Sequence, residues 1–150
     1  MTDTPDLGAL AREIVDESRF MTLGTADADG VPWVSPVWFA PVTYRELLWA
    51  SAPDAQHSRN LATRPDVAVV IFDSHRVGAW SALYLAGVAE ELRDVDDAIA
   101  AYSRRSEAQG FRTWTRDDVL PPARHRLYRV RIAQQFVLDD HDRRLSVELD

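Results

Sequence analysis

Val31-Pro32-Trp33-Val34-Ser35-Pro36-Val37-Trp38-Phe39 is the stretch whose reading decides the fold. It is rich in β-branched and aromatic residues, which suits a strand, yet it holds two prolines. Proline donates no ladder hydrogen bond and is confined to sheet edges and bulges. With Pro36 mid-strand, the ladder is expected to be interrupted there. Neighbouring backbone groups would then be free for another partner, such as a flat ligand with hydrogen-bonding edges. An edge strand or bulge with no ligand is the alternative. Upstream, Phe20 to Ala26 reads as a strand, and Asp27-Ala28-Asp29-Gly30 is a turn cluster with Gly30 suited to positive φ. The two strands should form a hairpin.

Outward from that hairpin, Pro41 breaks the chain and Leu47 to Ser51 is a third strand. Val67 to Phe72 is an unbroken apolar run, expected to be a strand buried on both faces. Ala79 to Val88 is a fifth strand and Arg126 to Ile132 a sixth. Phe136-Val137-Leu138 and Leu145-Ser146-Val147 flank a polar turn and predict a closing hairpin. Leu7, Leu10, Ala11, Ile14 and Val15 recur at helical spacing behind a Thr4-Pro5 start. Asp94 to about Glu107 predicts a second helix, which Gly110 ends. The order lacks the strand–helix alternation of a doubly wound sheet. It predicts a mainly β (α+β) single domain over residues 1–150, a six-stranded antiparallel barrel with flanking helices.

Composition narrows the function. The chain has 150 residues and 46% hydrophobic content, enough for a real core. It has no cysteine, which excludes disulfides, thiolate metal sites and cysteine nucleophiles. The net charge of −7 argues against nucleic-acid partners. No run approaches the roughly 18 apolar residues of a membrane helix, and the start Met1-Thr2-Asp3-Thr4-Pro5-Asp6 is acidic. A soluble, cytoplasmic protein is expected. All 17 basic residues are arginine, so lysine chemistry is impossible and any anion site must use Arg, His or backbone N–H groups.

One segment meets that requirement: Trp49-Ala50-Ser51-Ala52-Pro53-Asp54-Ala55-Gln56-His57-Ser58-Arg59-Asn60-Leu61-Ala62-Thr63-Arg64-Pro65. A strand ends near Ser51, a loop follows, and a short helix runs until Pro65. Strand end, helix start and basic side chains together suit a phosphate. Spacing alone leaves His57 and Arg59 open between a phosphate site and a solvated helix face; Arg64 is read as solvated.

Trp33 to Phe39, then Trp49-Ala50-Ser51, His57-Ser58-Arg59-Asn60-Leu61, Arg64-Pro65 and Val67 to Asp73 form an ordered set. That set resembles the pyridoxamine 5′-phosphate oxidase-like family of FMN-binding split β-barrels, which includes flavin and deazaflavin oxidoreductases. The resemblance covers about Phe20 to Glu91. It implies an FMN-dependent oxidoreductase acting on a small organic molecule, built as a homodimer with a cofactor at each subunit boundary. The alternatives are a reductase using the deazaflavin coenzyme and a non-catalytic module that binds flavin or heme. The ring would lie along Val34, Ser35, Pro36, Val37 and Trp38 and meet Ala50 and Ser51. The phosphate would meet Ser51, His57 and Arg59, with Asn60 supporting the turn. His57 stands where many members carry lysine or arginine, and a bound phosphate should raise its pKa. Trp80 and Trp114 would cover the ring, or else pack in the core.

The chemistry of a flavin enzyme resides in its cofactor, which agrees with what else is present. Ser18, Ser35, Ser51 and Ser81 sit in no Gly-x-Ser-x-Gly elbow. His57, His75, His125 and His141 lack metal-ligand spacing, so no metal is expected. Asp96-Asp97 and Asp117-Asp118 read as helix-start and turn acids, and Asp139-Asp140-His141-Asp142 as a hairpin turn. Arg112 and Arg124 are open between substrate anchors and surface charges. Pyridoxamine phosphate oxidases proper close with a tryptophan and an Arg-Leu pair. Here no tryptophan lies beyond Trp114, and Arg144-Leu145 is read as a chance match, which implies a different substrate.

Overall fold

The computed structural model describes residues 5–75 and 81–150. One antiparallel sheet of eight strands curls into a split barrel, in the order β2-β1-β5-β6-β7-β4-β3 with β8 on β7. The six expected strands are β1 (Phe20–Ala26), β2 (Pro32–Trp38), β4 (Glu46–Ser51), β5 (Asp66–Phe72), β6 (Ala82–Glu91) and β7 (Arg126–Leu138). Two short strands extend them, β3 (Ala40–Thr43) and β8 (Arg144–Ser146). The helices are α1 (Leu7–Glu17), α2 (Gln56–Thr63) and α3 (Asp96–Ala108).

Four local expectations change. The first helix starts later than Thr4-Pro5: Asp6 is its N-cap, its carboxylate accepting the Ala9 amide at 3.1 Å. Pro41 does not break the chain but sits in β3, the sheet's edge strand, where a missing N–H is tolerated. The sixth strand does not stop at Ile132. A register shift opposite Ala86/Gly87 absorbs one residue, and β7 runs on into Phe136–Leu138. Gly87 lies at that bulge, and a Cβ there would fall 2.1 Å from the Arg131 carbonyl oxygen. Finally, β5 is not buried on both faces. Val67, Val69 and Ile71 point inward, while Ala68 and Phe72 are exposed, because no helix among the described residues covers that side of the sheet.

Two apolar clusters hold the fold. Met21, Leu23, Phe39, Leu47, Trp49, Ile71, Leu83 and Val130 fill the barrel, and Ala11, Ile14 and Val15 of α1 join them. Ile99 and Tyr102 of α3 pack with Leu48, Val119 and Leu127 in a second cluster against the outside of the sheet. Arg105 of α3 ties the two helices together by donating to the carbonyls of Val15, Asp16 and Ser18 at 3.0–3.1 Å. This satisfies acceptors that the end of α1 would otherwise leave orphaned. The polar turns behave as read. Asp27 accepts the Asp29 and Val31 amides at 2.9 Å, with Gly30 at φ 83°. Asp139 likewise accepts from His141 and Arg143 at 2.8 Å between β7 and β8.

Candidate functional site

The split lies between β2 and β4. On one side β2 pairs with β1 without a register shift, from Phe20↔Trp38 to Ala26↔Pro32. The ladder is therefore not interrupted at Pro36, contrary to expectation. Parity explains why. The Phe39 amide bonds the Arg19 carbonyl at 3.2 Å, so odd-numbered residues of β2 turn their backbone groups toward β1. Even-numbered residues, among them both prolines, turn theirs to the open edge. Pro32 and Pro36 thus cost the ladder nothing. The edge still presents the Val34 and Trp38 N–H groups and the even-numbered carbonyls.

Across the split, His57 of α2 connects the two strands. Its Nε2 lies 2.8 Å from the Ser51 hydroxyl on β4, and its Nδ1 lies 3.3 Å from the Ser35 hydroxyl on β2. The Trp33 indole N–H donates to the same Ser35 oxygen at 3.0 Å. Burial lowers the His57 pKa below the ordinary imidazole value, so the ring is neutral at pH 7 in the free protein.

Asn60 locks α2 in place. Its side-chain amide is buried, accepts from Gln56 Nε2 at 2.8 Å and donates to the Thr25 hydroxyl on β1 at 3.0 Å. Gln56, Thr25 and Trp33 carry no site role in the sequence pattern. The signals were present: Gln56 and Asn60 stand at i and i+4 on a helix, and Trp33 shares a strand face with Ser35.

The other candidates separate. Ala50 meets the second cluster, where its backbone lies beside the Tyr102 hydroxyl. Burial pushes that phenol well above its usual range. Val34 and Pro36 point outward and are exposed, whereas Val37 is buried in the barrel. Trp38 packs edge-on against Tyr102 at 5.0 Å and donates its indole N–H to Gln109 at 2.8 Å. Trp114 stands against Tyr102 and His125, with the Arg112 guanidinium 4.4 Å over its ring. Trp114 thus packs against the second cluster, and Arg112 also forms a 2.7 Å ion pair with Asp118. Trp80 lies outside the described residues.

Arg59 is not brought to His57. Two residues on, it sits about 200° around the helix, and its guanidinium donates to the Asp54 carbonyl at 2.8 Å and to Gln56 Oε1 at 2.7 Å. Arg64 is exposed and donates to the Ala28 carbonyl at 2.9 Å. Arg144 lies over the Tyr84 and Phe136 rings at 5.8 and 5.5 Å, on the outer side of the sheet. Among the described residues, no group of three or more His, Asp or Glu is placed to hold a metal ion.

The model of the family described as pyridoxamine 5′-phosphate oxidase matches residues 7–136. The chain belongs to this family. Solved structures of the same split-barrel fold include the heme storage protein HutZ from Vibrio cholerae. It is 24% identical, with a TM-score of 0.69 over 91% of this chain and 99% of that one. A heme-binding protein from Mycobacterium smegmatis is 23% identical, with a TM-score of 0.72 over 96% of this chain and 58% of its own. An F420 reductase is 22% identical, with a TM-score of 0.62 over 83% and 94%. No curated protein sequence matches the chain. Proteins of this fold thus include a reductase and heme-holding proteins alike. No helix among the described residues is long and apolar enough to cross a membrane.

Proposed function

We propose that this protein is an FMN-dependent oxidoreductase for a small organic molecule, holding the flavin in the split between β2 and β4. The observation that carries the reading is His57, held between Ser51 and Ser35 beside the unpaired edge of β2. An edge that alternates N–H and C=O groups suits the hydrogen-bonding rim of a flavin ring. The hydroxyl of Ser51 and the imidazole of His57 suit its phosphate. The flavin supplies the electron transfer; the chain supplies position and a protonatable donor. Arg59 would reach the phosphate only by leaving Asp54 and Gln56, so Ser51 and His57 hold it in this reading.

The same proposal includes a homodimer, with the bare outer face of β1, β2, β5 and β6 as its interface. Val34, Phe72 and Val88 are 68%, 55% and 51% exposed there. An apolar sheet face of this kind marks an interaction surface.

The absorption spectrum and mass of the co-purified cofactor test the assignment. The two-banded flavin spectrum and the mass of FMN are expected, with loss of colour in His57→Ala. A single band at shorter wavelength assigns the deazaflavin coenzyme instead, and a heme spectrum assigns the non-catalytic alternative. Colourless protein that gives no thermal shift with FMN refutes the reading.

A further inference from the structure

Trp33 reaches His57 through one hydroxyl. Its indole N–H donates to Ser35 Oγ at 3.0 Å, and the same oxygen lies 3.3 Å from His57 Nδ1. Residues 33 and 35 share a strand face. The backbone of Trp33 is tied to α2 as well: Asn60 Nδ2 donates to the Thr25 hydroxyl at 3.0 Å, and that hydroxyl donates to the Trp33 carbonyl at 3.4 Å. The indole is half-exposed, with water in reach of its N–H, yet the N–H goes to the one side chain of β2 that touches His57.

The direction of these bonds matters. An indole nitrogen only donates, a hydroxyl does both, and a neutral imidazole donates from one nitrogen and accepts at the other. His57 is neutral in the free protein because of burial, so two arrangements exist. In the first, Ser35 accepts from Trp33 and donates to Nδ1, and Nε2–H donates to Ser51 Oγ, 2.8 Å away. Every bond then runs the same way, from Trp33 to Ser51, and each polarises the next. In the second, Trp33 and Nδ1 both donate to Ser35, and Ser51 donates to Nε2. Two donors then converge on one oxygen and the chain is broken. Among the described residues neither hydroxyl bonds any other group. Each arrangement therefore leaves one hydroxyl hydrogen over: on Ser51 in the first, on Ser35 in the second.

We infer that Trp33 is a positioning residue: acting through Ser35, its N–H holds neutral His57 as the Nε2–H tautomer and leaves the Ser51 hydrogen free to donate. The consequence for phosphate rests on the flavin reading above; the tautomer does not. With this tautomer both Nε2–H and the Ser51 hydroxyl are donors toward a phosphate. With the other, a bare Nε2 lone pair would face oxygens that only accept.

Nitrogen-15 NMR of the intact, cofactor-free protein reads the tautomer near pH 8, above the ordinary imidazole pKa, because protonated and bare ring nitrogens resonate far apart. Wild-type His57 should carry its hydrogen on Nε2. Trp33→Phe keeps an aromatic ring, removes the N–H, and should shift the tautomer ratio about threefold or more toward Nδ1–H. The same change in a Ser35→Ala background should leave the ratio where Ser35→Ala alone sets it, since the relay is gone. In fluorescence titrations Trp33→Phe should weaken FMN about threefold or more and leave riboflavin, which lacks the phosphate, unchanged. Wild-type His57 protonated at Nδ1, a ratio unmoved by Trp33→Phe, or an equal shift without Ser35 overturns the inference. Equal weakening of FMN and riboflavin overturns its phosphate part. Wild-type protein that binds no FMN overturns the flavin reading instead, and the ring resonances decide the tautomer by themselves.

Discussion

Two seams of this barrel are closed by different means. β6 and β7 pair from Leu83↔Val137 to Glu91↔Tyr128, and their backbones hold each other with little regard to side chain. The one exception is the bulge, where Gly87 permits a close approach. β2 and β4 share no paired residues; side chains of α2 span the gap, His57 by touching both strands and Asn60 by anchoring the helix to β1. A seam closed by backbone has nothing left to offer a ligand. A seam closed by side chains keeps its backbone edge open, and its chemistry depends on a few residues.

Substitutions at the two seams should therefore differ in kind as well as in size. Gly87→Ala strikes the backbone seam, because the new methyl would meet the Arg131 carbonyl oxygen, which has no freedom to move aside. A loss of about 3 kcal/mol in urea unfolding is expected; unchanged stability would show that the β6–β7 seam yields easily. Asn60→Ala strikes the anchor of the other seam and strands the partners of a buried amide, at about 1–3 kcal/mol in the same measurement. His57→Ala should cost about 1 kcal/mol of stability, since its ring and Ser35 are half-buried while the buried Ser51 hydroxyl loses its partner. Its FMN affinity, read by fluorescence titration, should nevertheless fall at least about tenfold. A large stability loss without an affinity loss would make His57 a structural stitch only.

The smallest effect is in pH. Burial lowers the His57 pKa in the free protein, and a bound phosphate would raise it. Between those two values binding takes up a proton. The ratio of wild-type to His57→Ala affinity should then fall as pH rises, by no more than about tenfold per unit. The ratio cancels the titration of the phosphate itself. A ratio that stays flat between pH 5 and 9 would remove His57 from the phosphate site. In the free protein the sign runs the other way. Protonating a half-buried imidazole is unfavourable, so stability should decline slightly as pH drops below about 6.5.

Much of this contrast is legible in the sequence, and the lapses have physical causes. β1, β2, β4 and the short helix follow from β-branched and aromatic content and from Gly30 and Pro65, which are local signals. β3 is hidden because Pro41 looks like a breaker until it is known to lie on an edge. The continuity of β7 is hidden because Ala133-Gln134-Gln135 interrupts its apolar pattern. Gln135 is in fact buried, bonding Tyr44 and Leu149. In the site, a strand end followed by a helix start brings Ser51 and His57 together. Arg59 falls away because proximity in sequence says little about angle around a helix: residues at i and i+2 face apart. Pro36 misleads in the opposite direction. The vacancy it predicts is real but lies on the open edge, where only pairing parity could place it.

Gln135 also holds the segment that follows β8. Its side-chain oxygen accepts the Leu149 amide at 2.8 Å, and the Asp150 carbonyl accepts the Tyr44 amide at 3.1 Å. Leu149 itself is 1% exposed. The Leu149 amide should keep its hydrogen about as long as the barrel strands keep theirs, so deuterium labelling at this one position would read opening of the barrel.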